Sequence, residues 1–244
     1  MSVAEKLVVI AENEQRVYEA GKAMGIGGFW DAFQAGGKRA NYELASQGWS
    51  AETIRPKYKV IPTNVRSGLS TFYGNEKLTI VEKEYFDFSS INPSATNDQQ
   101  AWRYTFIACS NLQIVEDIGM KAGRYYSTWQ SCLALHTIEK MRIAKDCQIN
   151  QGVFQDCREL TNLTIEGEIG QNGFDIHWST KLSRNSIISI LDALSTETMD
   201  LTVTLSLAAV NKAFETSVGA NDGSTSTEWL NAEAYHDNWT ISLV

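Results

Sequence analysis

A four-slot motif recurs through the middle of the chain and constrains its fold more than any other feature. Phe106-x-x-Cys109-x-x-Leu112-x-x-Val115, Trp129-x-x-Cys132-x-x-Leu135-x-x-Ile138 and Phe154-x-x-Cys157-x-x-Leu160-x-x-Leu163 agree at every slot, at offsets of 23 and 25 residues. A degenerate copy, Phe72-x-x-Asn75-x-x-Leu78-x-x-Val81, lies 34 residues before the first full one, so Phe86–Ala101 reads as an insertion. Self-similarity at such a period is the signature of stacked units, each of which buries its apolar edge only against its neighbours.

The period predicts an α/β chain built as a short leucine-rich-repeat solenoid of three to four repeats, about 23–25 residues each, with an N-terminal helical leader and a C-terminal α/β cap. In such a stack the aromatic, the cysteine and the two aliphatic residues point inward. Cys109, Cys132 and Cys157 are then small buried hydrophobes rather than metal ligands or redox centres. Cys147 lies outside the motif and is open to two readings, a core residue or a modifiable thiol.

From about Gly68 to Ile176 the aromatic-x-x-Cys-x-x-Leu-x-x-aliphatic pattern resembles the BspA-like class of bacterial leucine-rich repeats. That resemblance implies binding rather than catalysis, since proteins of the class are adhesive surface antigens and also occur in prophages of gut bacteria.

The flanks have their own patterns. Val3, Leu7, Ile10, Val17 and Met24 fall on a 4-3-4-3 series, a helix with a seam whose other members are Glu14 and Gly21. The seam serves either self-association or packing on the chain itself. Toward the other end, Ser183 is placed to cap a helix with Ile187, Ile190, Leu191 and Leu194 on its apolar face. Leu201, Val203, Leu205 and Leu207 alternate with polar residues as a half-buried strand, and a helix with Val210, Ala213 and Phe214 follows. A polar loop is expected over Gly219–Thr227, and Trp239, Ile241 and Leu243 alternate as a terminal strand. The expected organisation is a leader over residues 1–60, a solenoid over 61–176 and a capping unit over 177–244.

Ala4-Glu5-Lys6-Leu7, Ile10-Ala11-Glu12-Asn13-Glu14, Phe29-Trp30-Asp31-Ala32-Phe33, Gly48-Trp49 and Pro56-Lys57-Tyr58 resemble the leader of tail-region proteins in phages and prophages of gut Gram-positive bacteria. Thr164-Ile165-Glu166-Gly167, Leu201-Thr202-Val203-Thr204-Leu205 and Asn238-Trp239-Thr240-Ile241 are similar to the closing unit of those proteins, although Thr216–Ser226 is longer than their usual turn. The resemblance implies a virion context and leaves the ligand open.

Charge narrows the partners. A net charge of −8 disfavours nucleic acid, which selects a cationic face. The longest aliphatic run, Leu7–Ala11, is too short to span a bilayer, and the start lacks the layout of a secretory signal. The resemblance to tail-region proteins implies a location in a virion tail, or in the bacterial cytoplasm before assembly, with the cell surface as the alternative.

Motifs for chemistry are sparse. Gly25-Ile26-Gly27-Gly28 lacks the spacing of a phosphate loop or dinucleotide fingerprint, and His136, His177 and His236 adjoin no nucleophile in a catalytic motif. No catalytic residue, metal ligand or cofactor is assigned. The best candidate for a binding face is the outward side of adjacent strands, where Asp117, Lys140, Arg142, Thr164 and Glu166 remain once the apolar residues turn inward. The competing reading is ordinary cross-strand pairing of Asp117 with Lys140 and of Arg142 with Glu166. Tyr125, Tyr126 and Trp178 are either wedges between repeats or platforms for sugar rings. The leading expectation is a non-enzymatic tail-associated protein contacting a host-surface glycan, a cell-surface protein or a virion partner, with possible self-association through the leader. A cell-surface adhesin is the alternative, and a carbohydrate-active enzyme with a carboxylate pair is a third reading.

Overall fold

The computed structural model describes residues 72–76, 78–83, 102–149, 152–197, 200–218, 226–234 and 238–244. The leader, including Val3, Leu7, Ile10, Val17 and Met24, lies outside the described residues, as does the insertion Phe86–Ala101.

Each motif is a run of three-residue turns. The N–H of Cys109 donates to the carbonyl of Phe106 at 3.1 Å, and the N–H of Leu112 to that of Cys109 at 3.0 Å. The same two bonds recur from Cys132 to Trp129 and Leu135 to Cys132, and again from Cys157 to Phe154 and Leu160 to Cys157. A backbone that closes a bond every third residue brings every third side chain to one face, which accounts for the spacing of the slots. The residue two after each aromatic adopts a left-handed conformation: Gly74 at φ 65°, Ala108 at 59°, Ser131 at 60° and Asp156 at 62°. Every slot of the three full motifs is buried.

The sheet has five parallel strands, β1 (Ile80–Val81), β2 (Ile114–Val115), β3 (Lys121–Tyr125), β4 (Thr137–Ile149) and β5 (Asn162–Gly167), of which all but β3 follow one of these turns. They form one sheet in the order β1-β2-β4-β3, with β5 also paired to β4. β5 lies along β4 from Thr137 to Ile143. The other edge of β4 is shared, by β2 at Thr137 and Ile138 and by β3 from Arg142 onward.

This arrangement corrects the solenoid expectation. The sheet is a curled half-barrel of unequal strands rather than a stack of equal coils, and only the α/β class remains. β4 runs for thirteen residues where β1 and β2 have two each. The pairing also shifts between Ile138 and Met141 and between Ala122 and Arg124. The physical reason is that three-residue spacing determines which side chains a turn buries. It places no limit on how far the following strand extends, or on an extra strand such as β3 lying along a neighbour.

The remaining elements are α1 (Arg184–Asp192), β6 (Leu201–Leu205), α2 (Leu207–Ala213), α3 (Thr227–Ala234) and β7 (Trp239–Leu243). Ser183 caps α1 by accepting the Ser186 N–H, and Ile187, Ile190 and Leu191 are buried beneath it. Ser206 caps α2 through the Ala209 N–H, so Leu207 opens a helix instead of ending a strand. α3 was not anticipated from the sequence. Its signal is Ser226, whose Oγ accepts the Trp229 N–H at 3.1 Å and turns that indole into the core against Phe214.

β6 pairs in parallel with β7 from Leu201–Trp239 to Leu205–Leu243. On its other side Thr204 exchanges hydrogen bonds with Phe174 and Ile176. A bridge from Ile169 to Leu194 joins this part to the main sheet. One continuous core therefore runs from Phe72 to Trp239.

α1 also closes the outer edge of β5. The Leu163 N–H donates to Ser186 Oγ and the Ile165 N–H to Ser189 Oγ, both at 2.8 Å. Two strand residues advance about 6.6 Å while three helical residues rise about 4.5 Å, so strand and helix fall out of step beyond Ile165.

Candidate functional site

The pleat of β4 creates the outward charged face. Ile138, Met141 and Ile143 are buried, and the irregularity between Ile138 and Met141 places Glu139 and Lys140 consecutively outside the core. Lys140 and Arg142 consequently share the outer face, flanked by Asp117 after β2 and by Glu166 on β5.

These four side chains form one closed network. Lys140 Nζ lies 2.8 Å from Glu166 Oε2 and 3.4 Å from Asp117 Oδ2. Arg142 donates through Nη2 to both carboxylate oxygens of Asp117, at 3.0 and 2.9 Å, and through Nη1 to Glu166. The expected pairs, Asp117 with Lys140 and Arg142 with Glu166, are both present, and each base also reaches the other acid. Thr164 is exposed on β5 and lies outside this network.

The carboxylates are tuned accordingly. Partial burial pushes the Asp117 carboxyl up, but the hydrogen bonds from Arg142 and from the Gly119 N–H outweigh it and hold the group below the ordinary range. The Lys140 hydrogen bond lowers Glu166, and the same bond raises Lys140. Two acids thus balance two bases, and the patch is neutral as a unit.

The thiols are sealed. Cys109, Cys132 and Cys157 donate to the carbonyls of Phe72, Phe106 and Trp129 at 2.9, 3.1 and 3.0 Å. Burial pushes Cys109 and Cys157 up to about 12. Of the two readings of Cys147, the structure places it in the core, and burial likewise pushes it up to about 12.

Aromatic residues divide between interior and surface. Tyr125 is a core residue stacked on Trp129, and its single hydroxyl hydrogen is shared between the carbonyls of Arg142 at 3.0 Å and Met120 at 3.2 Å. Tyr126 and Trp178 are half-buried, with Arg103 and Arg124 over the first and Arg158 over the second. The separation in sequence of Arg103 and Tyr104 from Arg124 and Tyr126 hides this association from a motif search.

Where α1 diverges from β5, an open cleft of about 400 Å³ is lined by Ile165, Gly167, Asn185, Ile188, Ser189 and Asp192, among others. Gly167 has φ 114°, and a Cβ there would fall 1.9 Å from the Ile143 carbonyl oxygen. Close passage of the β5 backbone over β4 therefore requires glycine at the floor of the cleft.

His177 Nδ1 lies 2.6 Å from Oδ1 of the buried Asp175, and the half-buried imidazole sits beside Trp178. Among the described residues no group of three or more His, Cys, Asp or Glu side chains is arranged to hold a metal ion, and no helix is long and apolar enough to cross a membrane. No family model, curated protein or solved structure matches the chain.

Proposed function

We propose that the chain is a non-enzymatic structural and binding protein of a phage or prophage tail, which uses the outer face of its curled sheet to contact a host-surface or virion partner. The observation that carries the binding half is the network of Asp117, Lys140, Arg142 and Glu166, a broad charged surface whose charges cancel locally. Such a surface can approach a neutral partner without leaving a single uncompensated charge. The tail context comes from the resemblance of the leader and the closing unit to tail-region proteins.

Sedimentation of the purified full-length chain with intact cells of candidate host strains tests this reading. Saturable binding, weakened by Lys140→Glu, without release of soluble sugar from the cells is the expected result. Binding to none of the host strains or to isolated virion components would overturn it, and steady release of sugar would instead favour a carbohydrate-active enzyme.

A further inference from the structure

Five arginines lie among the described residues, and two of them depart from the pattern of the rest. Arg142, Arg158 and Arg184 each meet a carboxylate. Arg103 and Arg124 meet none among the described residues, and the two are held against the same ring. The Arg103 guanidinium carbon lies 4.7 Å from the centroid of Tyr104 and 4.6 Å from that of Tyr126. That of Arg124 lies 5.2 Å from Tyr126.

The frame around them is defined. The two tyrosine rings meet edge to face at 5.6 Å. Tyr104 N–H donates to the Tyr126 carbonyl at 3.0 Å, and Arg103 Nη2 donates to the Tyr104 hydroxyl at 3.0 Å. All four side chains are half-exposed, while Arg103 Nε is buried without a hydrogen-bond partner among the described residues.

Two guanidinium groups gathered with no acid against them among the described residues concentrate positive potential locally, on a chain whose net charge is −8. Ring faces stabilise each cation in part and leave its outward donors unused. One carboxylate is satisfied by a single arginine fork, whereas a phosphate has enough oxygens for two. The exposed tyrosine surface beside the donors suits the C–H face of a sugar.

We propose that Arg103 and Arg124, seated on Tyr104 and Tyr126, form a binding site for a phosphorylated saccharide, with the phosphate held between the two guanidinium groups and the sugar against the tyrosines. The site goes beyond the functional reading above and stands or falls separately from it.

Calorimetric titration of the full-length chain with glucose 6-phosphate, inorganic phosphate, glucuronate and glucose tests the proposal. Glucose 6-phosphate is expected to bind most tightly and to weaken as salt rises. Arg103→Gln and Arg124→Gln should each reduce its affinity by about tenfold or more, the scale set by lost hydrogen bonds to a charged group. Arg124→Lys should give an intermediate loss, and Lys212→Gln, on the exposed side of α2, should have no effect. Circular dichroism matching the parent chain shows that the variants are folded. No saturable binding of glucose 6-phosphate, or binding unchanged in folded Arg124→Gln, would overturn the site. Equal binding of inorganic phosphate would overturn its sugar component. Retained glucose 6-phosphate binding with no attachment to cells or virion components would count against the functional reading alone.

Discussion

The Sγ of Cys132 donates to the carbonyl oxygen of Phe106 at 3.1 Å, tying the cysteine slot of one motif to the aromatic slot of the preceding one. The same tie runs from Cys109 to Phe72 and from Cys157 to Trp129. Cysteine at this slot is small enough to be buried and still supplies a donor, which alanine lacks. Cys132→Ala should lower unfolding stability by about 1–3 kcal/mol, because it removes packed volume and one of the two hydrogen bonds that the buried Phe106 carbonyl accepts, the other coming from the Cys109 N–H. Cys132→Ser, which retains a donor, should lose less. Urea unfolding of the two variants compares them directly.

Thiol chemistry follows from the same geometry. Burial holds Cys109, Cys147 and Cys157 up to about 12, and it raises Cys132 as well, so little thiolate forms near neutral pH. Iodoacetamide at pH 8 should leave all four unmodified in the folded chain and label all four in denaturant. Mass spectrometry of the intact protein reads the difference, and rapid labelling of Cys147 in the folded state would place it on the surface instead.

Two glycines should respond differently to alanine. Gly167→Ala places a methyl group against the Ile143 carbonyl at a φ of 114°, so both strain and overlap oppose it. Gly74→Ala meets open space and bears only the cost of a left-handed residue, about 1–2 kcal/mol. Chemical denaturation should therefore show the larger loss for Gly167→Ala, with the β5 resonances displaced in a heteronuclear NMR spectrum.

Acid should weaken the outer face through Asp117 and Glu166. Both carboxyls titrate lower in the folded chain than in the unfolded one. Between the two values the unfolded chain binds more protons, so stability rises with pH across that window. This contribution is present above the unfolded carboxylate values of about 4 and is lost as pH falls through the folded values. Lys140 behaves oppositely: its contribution is complete below the ordinary lysine value and is lost as pH rises through the raised one. Asp117→Asn should flatten the acid limb of the stability profile, measured by thermal unfolding from pH 2 to 7.

Backbone direction in β7 gives a further test. Val244 N–H donates to Leu205 and its carbonyl accepts from Leu207, so the bonds of alternate residues, Ser242 and Thr240, also face β6. Those of Ile241 and Leu243 face away. Ser242→Pro should disrupt the β6–β7 pair, whereas Ile241→Pro leaves its hydrogen bonds intact and should be much better tolerated. Amide hydrogen exchange at Val203 and Leu205 distinguishes the outcomes.

Much of the interior was legible because local turns leave a periodic trace. Phe106, Cys109 and Leu112 are three residues apart because the backbone closes a bond every third residue, and Ser183 announces α1 through its cap. The sheet was less legible. The sequence Lys121–Tyr125 carries no apolar alternation that marks a strand; its position is determined by β4, whose length depends on partners on both edges. The charged network could be anticipated from alternation on β4, although the irregularity at Glu139 and Lys140 was needed to align it. Arg103 and Arg124 escaped notice because only the fold brings them to one tyrosine.

The most direct test of the functional account is peptide mass spectrometry of phage particles, induced from the strain that encodes the chain and purified on a density gradient. The account predicts peptides of this protein co-migrating with intact tails and retained after a high-salt wash. Its absence from particles together with its presence in washed cell walls would contradict the account and assign the chain to the cell surface.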